Sequence, residues 1–138
     1  MTPPGNPRWM TMTGRTLSTL VVLFLLMDAG IKFPPIPAVG ETMAQMGWPT
    51  DAGTARLLGS LTLIGTLLYI WPRTALLGAV VLTAYLGGAV ASHVRIASPL
   101  FSHILFGVYL GLFLWGGLWL RSPALRALLP IKAEGQGS

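Results

Sequence analysis

The sequence predicts an all-α protein, a four-helix transmembrane bundle with both termini in the cytoplasm, and three observations predict it. Charged residues make up 9% of the 138-residue chain and hydrophobic residues 53%, whereas a soluble domain carries about 25% charged residues. Mean hydropathy is +0.68, and the apolar residues come in runs rather than alternating with polar ones. Four of those runs, at about 15–34, 55–71, 74–94 and 100–120, are long enough to cross a bilayer, which takes roughly 17–25 residues in a helix. The length fits one domain over 1–138.

Residues 1–14 (MTPPGNPRWMTMTG) read as a flexible lead-in. The first span should end near Lys32, because FPPIP at 33–37 cannot continue a helix. Cleavage of the N-terminus as a signal peptide after AVG at 38–40 fits poorly, since Asp28, Lys32 and three prolines separate that site from the apolar run. The segment AVGETMAQM is too short and polar to span. Val39, Met43 and Met46 fall on one face of it, so it reads as a short interfacial helix between the first and second spans. Thr50 or Asp51 can cap the second span. WPR at 71–73 is a tight turn into the third span, and RIASP turns the third into the fourth, because the residue before Pro99 is pushed out of the helical region. WGGLWLR closes the fourth span with an interfacial belt, and 122–138 reads as a short amphipathic turn and a flexible tail.

Four crossings place the N-terminus, the WPR turn and the C-terminus on one side. Six of the nine basic residues lie there: Arg8, Arg15, Arg73, Arg121, Arg126 and Lys132. The positive-inside rule makes that side the cytoplasm. The net charge of +5 is scattered singly at span ends rather than gathered in a stripe, which excludes nucleic acid as the expected partner and leaves the lipid bilayer. The absence of cysteine excludes disulfides, thiolate metal sites and thiol redox chemistry.

Lipid gives no hydrophobic drive for helix association, so close packing is expected at small residues. Ala84, Gly87, Gly88 and Ala91 share a face of the third span, and Gly107 and Gly111 a face of the fourth. These six are the expected helix-packing positions, and the Gly107/Gly111 pair is a route to a homo-oligomer.

The ionisable residues gather at the other, outer end. Asp28 and Lys32, four apart, form an expected ion pair on the first span. Arg56 opens the second, His93 and Arg95 close the third, and His103 enters the fourth facing Gly107 and Leu110. The six are candidate ligand-binding residues of a polar outer cavity, since charge inside a span is costly and marks function. Arg56, Lys32 and Arg95 also suit plain interface anchoring. At about 100° per residue, His93 points roughly 160° away from Arg95, so the two share a pocket only if the helix stops near Ser92. Asp28, His93 and His103 are ligand types that suit iron or zinc, but their spacing matches no ligand box, and no metal is expected. No nucleophile–base pair is visible, and the sequence leaves open whether a reaction is catalysed.

TAYLGGAVASHVR (83–95), PLFSHILFGVYLGLFLWGGLWLR (99–121) and ALRALLP (124–130) resemble the DoxX-like family of small bacterial four-helix membrane proteins. LVVLFLLMDAGIK, ETMAQMGWP and YIWPRTALLGAV fit the same pattern. The resemblance implies the bacterial cytoplasmic (inner) membrane. Relatives in the wider DoxX group include subunits of a quinone-reducing thiosulfate oxidoreductase and membrane partners of oxidative-stress proteins. It therefore implies an accessory subunit that binds quinone or lipid, with a redox-protein partner supplying the cofactor. A small-solute transporter or channel and a non-catalytic assembly partner are the alternatives.

Overall fold

A computed structural model describes residues 6–34 and 36–129. Six α-helices and one π turn make up the architecture: α1 (Arg8–Lys32), α2 (Pro37–Gln45), α3 (Ala52–Ile70), α4 (Ala75–Arg95), the π turn Leu100–Ile104, α5 (Phe106–Arg121) and α6 (Pro123–Leu128). No strand occurs among the described residues. Four helical segments are long and apolar enough to cross a membrane: Arg8–Lys32, Ala52–Ile70, Ala75–Arg95 and Leu100–Arg121. The expectation of an all-α chain with four spans holds. One boundary is corrected, because the lead-in was read as flexible, whereas the short amphipathic turn read after Arg121 is present as a helix. Residues 8–14 are helical, tied down where Asn6 donates from Nδ2 to the Leu120 carbonyl at 2.9 Å and accepts from Arg126. Residues 123–128 form α6, started by the Ser122 hydroxyl accepting from the Leu125 amide. Residues 1–5 and 130–138 of those expected flexible ends lie outside the described residues.

α1 packs against α3 and α5, and α4 packs against the same two, so α1 and α4 stand diagonally across a four-helix ring. At the end carrying both termini, the ring is closed by backbone contact. A Cβ on Gly14 would lie 2.8 Å from the Gly117 carbonyl oxygen, so α1 and α5 cross at a distance only glycine allows. Below mid-height the axis is filled by Val21, Leu82, Leu114 and Tyr69, each no more than 1% exposed. The Tyr69 hydroxyl donates to the Leu114 carbonyl at 2.7 Å and meets Ser18 Oγ at 2.8 Å, while Arg121 stacks on the Tyr69 ring and donates to Ser18. This end is not apolar throughout. It holds a buried network, which in hydrocarbon must satisfy itself internally. The outer surface is the reverse: Leu57, Ile64, Leu67, Leu77 and Leu112 are all more than half exposed, an apolar belt suited to lipid contact.

The expected packing glycines are corrected in the same way. A Cβ on Gly87, Gly88 or Gly111 would meet nothing within 4 Å, and Ala84 and Ala91 are exposed. Of the six positions only Gly107 makes a close approach, to Val90 and the Leu86 carbonyl. In the half of α4 nearer α2, Ala84 and Gly88 leave volume, whereas at its start Gly78 brings α4 against the Tyr69 backbone of α3.

α2 forms where a short helix was expected. Val39 and Met43 are buried and pack with Ala55, Ile31 and Leu58, so its apolar face lies on the bundle. Asp51 caps α3 by accepting from the Thr54 amide at 2.8 Å and hydroxyl at 2.7 Å, bonds that hold its carboxyl below the usual carboxylate range. α2 and α4 end alike. After α2, the Gly47 and Trp48 amides return to Ala44 and Met43; after α4, the Ala97 and Ser98 amides return to Val94 and His93. This left-handed cap wants glycine. Gly47 (φ 73°) supplies it, whereas Ala97 (φ 53°) adopts the same conformation with a side chain. Arg95 joins the two caps by donating from Nη2 to the Met46 carbonyl, one of the acceptors a helix end leaves unpaired.

Three outcomes are expected. Gly14→Ala should push α1 from α5 and cost about 1–3 kcal/mol, read as a lower melting temperature in detergent, whereas Gly111→Ala should be neutral. Equal melting of the two would contradict the close crossing. Ala97→Gly should stabilise by up to about 1 kcal/mol by relieving the left-handed alanine; a lower melting temperature would argue against strain there. Arg95→Ala should speed amide hydrogen exchange across 38–46 about fivefold, the loss of a partly solvated charge-assisted bond, with α3 and α5 unchanged.

Candidate functional site

The diagonal between α1 and α4 stays open at the α2 end because α4 faces it with Ala84, Gly88, Ala89 and Ser92. The result is a cavity of about 440 Å³, within the range of small-molecule sites. α1, α2, α4 and the start of α5 wall it, and α3 contributes Leu58. Phe24 of α1 and Phe106 of α5 form part of the wall, with ring centroids 5.1 Å apart in an edge-to-face pair. Most of the lining is apolar.

Four of the six expected site residues line this cavity: Asp28, Lys32, His93 and His103. The expected ion pair is present, with Lys32 Nζ donating to Asp28 Oδ2. Their side chains are 12% and 24% exposed respectively. Sequence reasoning missed the third member, Tyr85. Its hydroxyl accepts from Lys32 Nζ at 2.9 Å and lies 3.5 Å from Asp28 Oδ2. A helical projection of α4 puts Tyr85 on the face of Gly88, Ala89 and Ser92, and that shared face was the available signal. The three groups make a polar station of no net charge. Lys32 has three N–H donors and uses two, so one remains for a molecule in the cavity.

Arg56 and Arg95 do not belong to this cavity. Arg56 is exposed and donates from Nε to the Phe33 carbonyl at 3.0 Å, tying the end of α1 to α3. Arg95 reaches sideways to Met46 and lines only a shallow recess with Gly47, Trp48 and Ser92. The physical reason is common to both. A guanidinium near a helix end finds unpaired carbonyls first. His93 faces the cavity although α4 continues regularly to Arg95, and Arg95 is the residue that turns away. His103 comes from the π turn rather than from a regular first turn, so its side chain is exposed at the rim. The two imidazoles stand edge to face with centroids 5.6 Å apart.

The model of the DoxX-like family matches residues 16–117. No curated protein and no solved structure matches the chain. The matched span includes every residue that lines the cavity, from Phe24 to Leu110. Together with the four apolar helices it shows that this chain belongs to the DoxX-like family and is a multi-pass integral membrane protein.

Proposed function

We propose that the protein is an accessory subunit that binds a quinone or a similar amphipathic lipid in the cavity beneath α2. The observation that carries this reading is a mostly apolar chamber of about 440 Å³ with a polar station of no net charge, Asp28–Lys32–Tyr85, on its wall. A neutral headgroup with carbonyl or hydroxyl oxygens accepts the free Lys32 donor, and an apolar ring or chain lies against Phe24, Leu86, Phe106 and Leu110. A free anion is the poorer match, since Asp28 already compensates Lys32. The chain contains no cysteine, so electrons exchanged with a bound quinone come from a redox-protein partner's cofactor. In this reading the membrane is the bacterial inner membrane and both termini are cytoplasmic. The filled axis at Val21, Leu82 and Tyr69 counts against a channel through one chain.

Gly88→Leu is the discriminating variant, because Gly88 lines the cavity and a Cβ there meets nothing within 4 Å, so a longer side chain is expected to take up cavity space. Native mass spectrometry of protein extracted gently from its own membranes should find a quinone or lipid adduct near one per chain. The adduct should be lost in Gly88→Leu at unchanged melting temperature, and depleted about tenfold in Tyr85→Phe, which removes one hydrogen-bond partner of Lys32. The same adducts on wild type and Gly88→Leu would sink the reading.

A further inference from the structure

The roof of the chamber is held at few points. Ala38, Val39, Thr42, Met43, Met46 and Trp48 line the cavity, all from α2 and the turn that follows it. Only two side chains of α2, Val39 and Met43, are buried against the bundle. Among the described residues, one hydrogen bond joins residues 37–48 to α3, α4 or α5, from Arg95 Nη2 to the Met46 carbonyl. That bond is exposed, so water can take the place of either partner. Prolines at 34, 35, 37 and 49 keep the segment from continuing α1 or α3 as one rigid rod. Gly47 (φ 73°), at the far end of α2, holds a conformation that glycine enters freely. Toward the termini the axis is filled by Val21, Leu82, Leu114 and Tyr69, which closes that way into the chamber.

We propose that α2 is a lid over the chamber, latched by Arg95, and that its lifting admits and releases the occupant at the end of the bundle away from the termini. The purpose of the lid rests on the reading of the chamber as a ligand site; its motion rests on the packing of α2 alone. Lids of this kind turn on a few residues at the ends of an element, and Pro37 and Gly47 stand at those places. Closed, α2 seats Val39 and Met43 against Ala55, Ile31 and Leu58, and Arg95 fixes its far end to α4. Without the latch, two apolar side chains are left to hold it. Lifting exposes those two and leaves the four spans in place, since the Gly14–Gly117 crossing and the Tyr69 network lie at the opposite end. Opening is thus a local event, drawn from the low-stability end of the molecule.

The chain has no cysteine, so a single introduced thiol reports the motion. Met43→Cys places one on the buried underside of the lid (6% exposed), and a charged, water-soluble maleimide should label it in the full chain at a rate set by opening. Adding Arg95→Ala should raise that rate about fivefold. Gly47→Ala, whose Cβ would stand 2.6 Å from Arg95 Nη2, should raise it likewise from the other side of the latch. Val21→Cys, in the filled axis (1% exposed), should stay unlabelled in all three backgrounds. Equal labelling of Met43→Cys with and without the latch would overturn the proposal, as would Val21→Cys labelling in step with it, the mark of general loosening. A second arm follows a decyl-substituted benzoquinone by quenching of tryptophan fluorescence. Met46→Cys and Ser92→Cys, both lining the recess beside Arg95, are joined by a short bis-thiol reagent. The joined chain should release the quinone at least about tenfold more slowly than the unjoined one, and equal release would overturn gating by α2. No quinone binding at all, with latch-dependent labelling intact, would sink the ligand proposed for the chamber and leave the lid standing.

Discussion

The crossing of α1 and α5 at Gly14 and Gly117 governs the shape of everything above it. Backbone meets backbone there, so the first and last spans cannot come closer. At the other end of the same helix pair stand two phenylalanines, Phe24 and Phe106, edge to face. A pair of helices joined by glycines at one end and spaced by aromatic rings at the other makes a wedge. The bundle fills the narrow part with Val21, Leu82, Leu114 and Tyr69 and leaves the wide part as a chamber. Small residues on α4 enlarge that chamber, since glycine and alanine cannot reach across the diagonal.

The polar residues divide by the kind of partner they find. Arg56, Arg95 and Arg126 donate to main-chain carbonyls near helix ends, at Phe33, at Met46, and at Trp119 with Leu120. They tie the ends of one element to another and take no further part in the site. Lys32 is different. Its compact ammonium is paired inside the span with Asp28 and Tyr85, away from helix-end carbonyls, and its third proton is uncommitted. Among the described residues no buried side-chain nitrogen or oxygen lacks a hydrogen-bond partner, as a protein immersed in hydrocarbon requires.

Much of this was legible in the chain because hydropathy and helix breakers are local properties. The four spans, the α2 segment and the Asp28–Lys32 pair follow from runs, prolines and a four-residue spacing. What failed needed the third dimension. Tyr85 looked like one more apolar-run residue until α1 brought Lys32 opposite it. Gly87 and Gly88 looked like contact points, since a sequence shows that a residue is small but not whether a neighbour approaches. His103 does line the cavity with Gly107 and Leu110, but from a π turn that hydropathy does not signal. The Ser18–Tyr69–Arg121 network escaped notice because its members lie on three helices.

The unequal lengths of the spans bear on where the bilayer sits. α1 has 25 residues and α3 has 19, about 37 Å and 28 Å at the helical rise. A hydrocarbon slab is about 30 Å thick, so α3 matches it and α1 overshoots by about 7 Å, a little more than one turn. The surplus falls within Arg8–Gly14, the least apolar part of α1, where Trp9 is 65% exposed. A bilayer matched to α3 would leave that surplus in the headgroup layer, together with the Asn6–Arg126 clasp. Ser18, Tyr69 and Arg121 then mark the hydrocarbon boundary. The bundle thus carries its own depth gauge, and a thinner or thicker membrane would be registered first as tilt in α1.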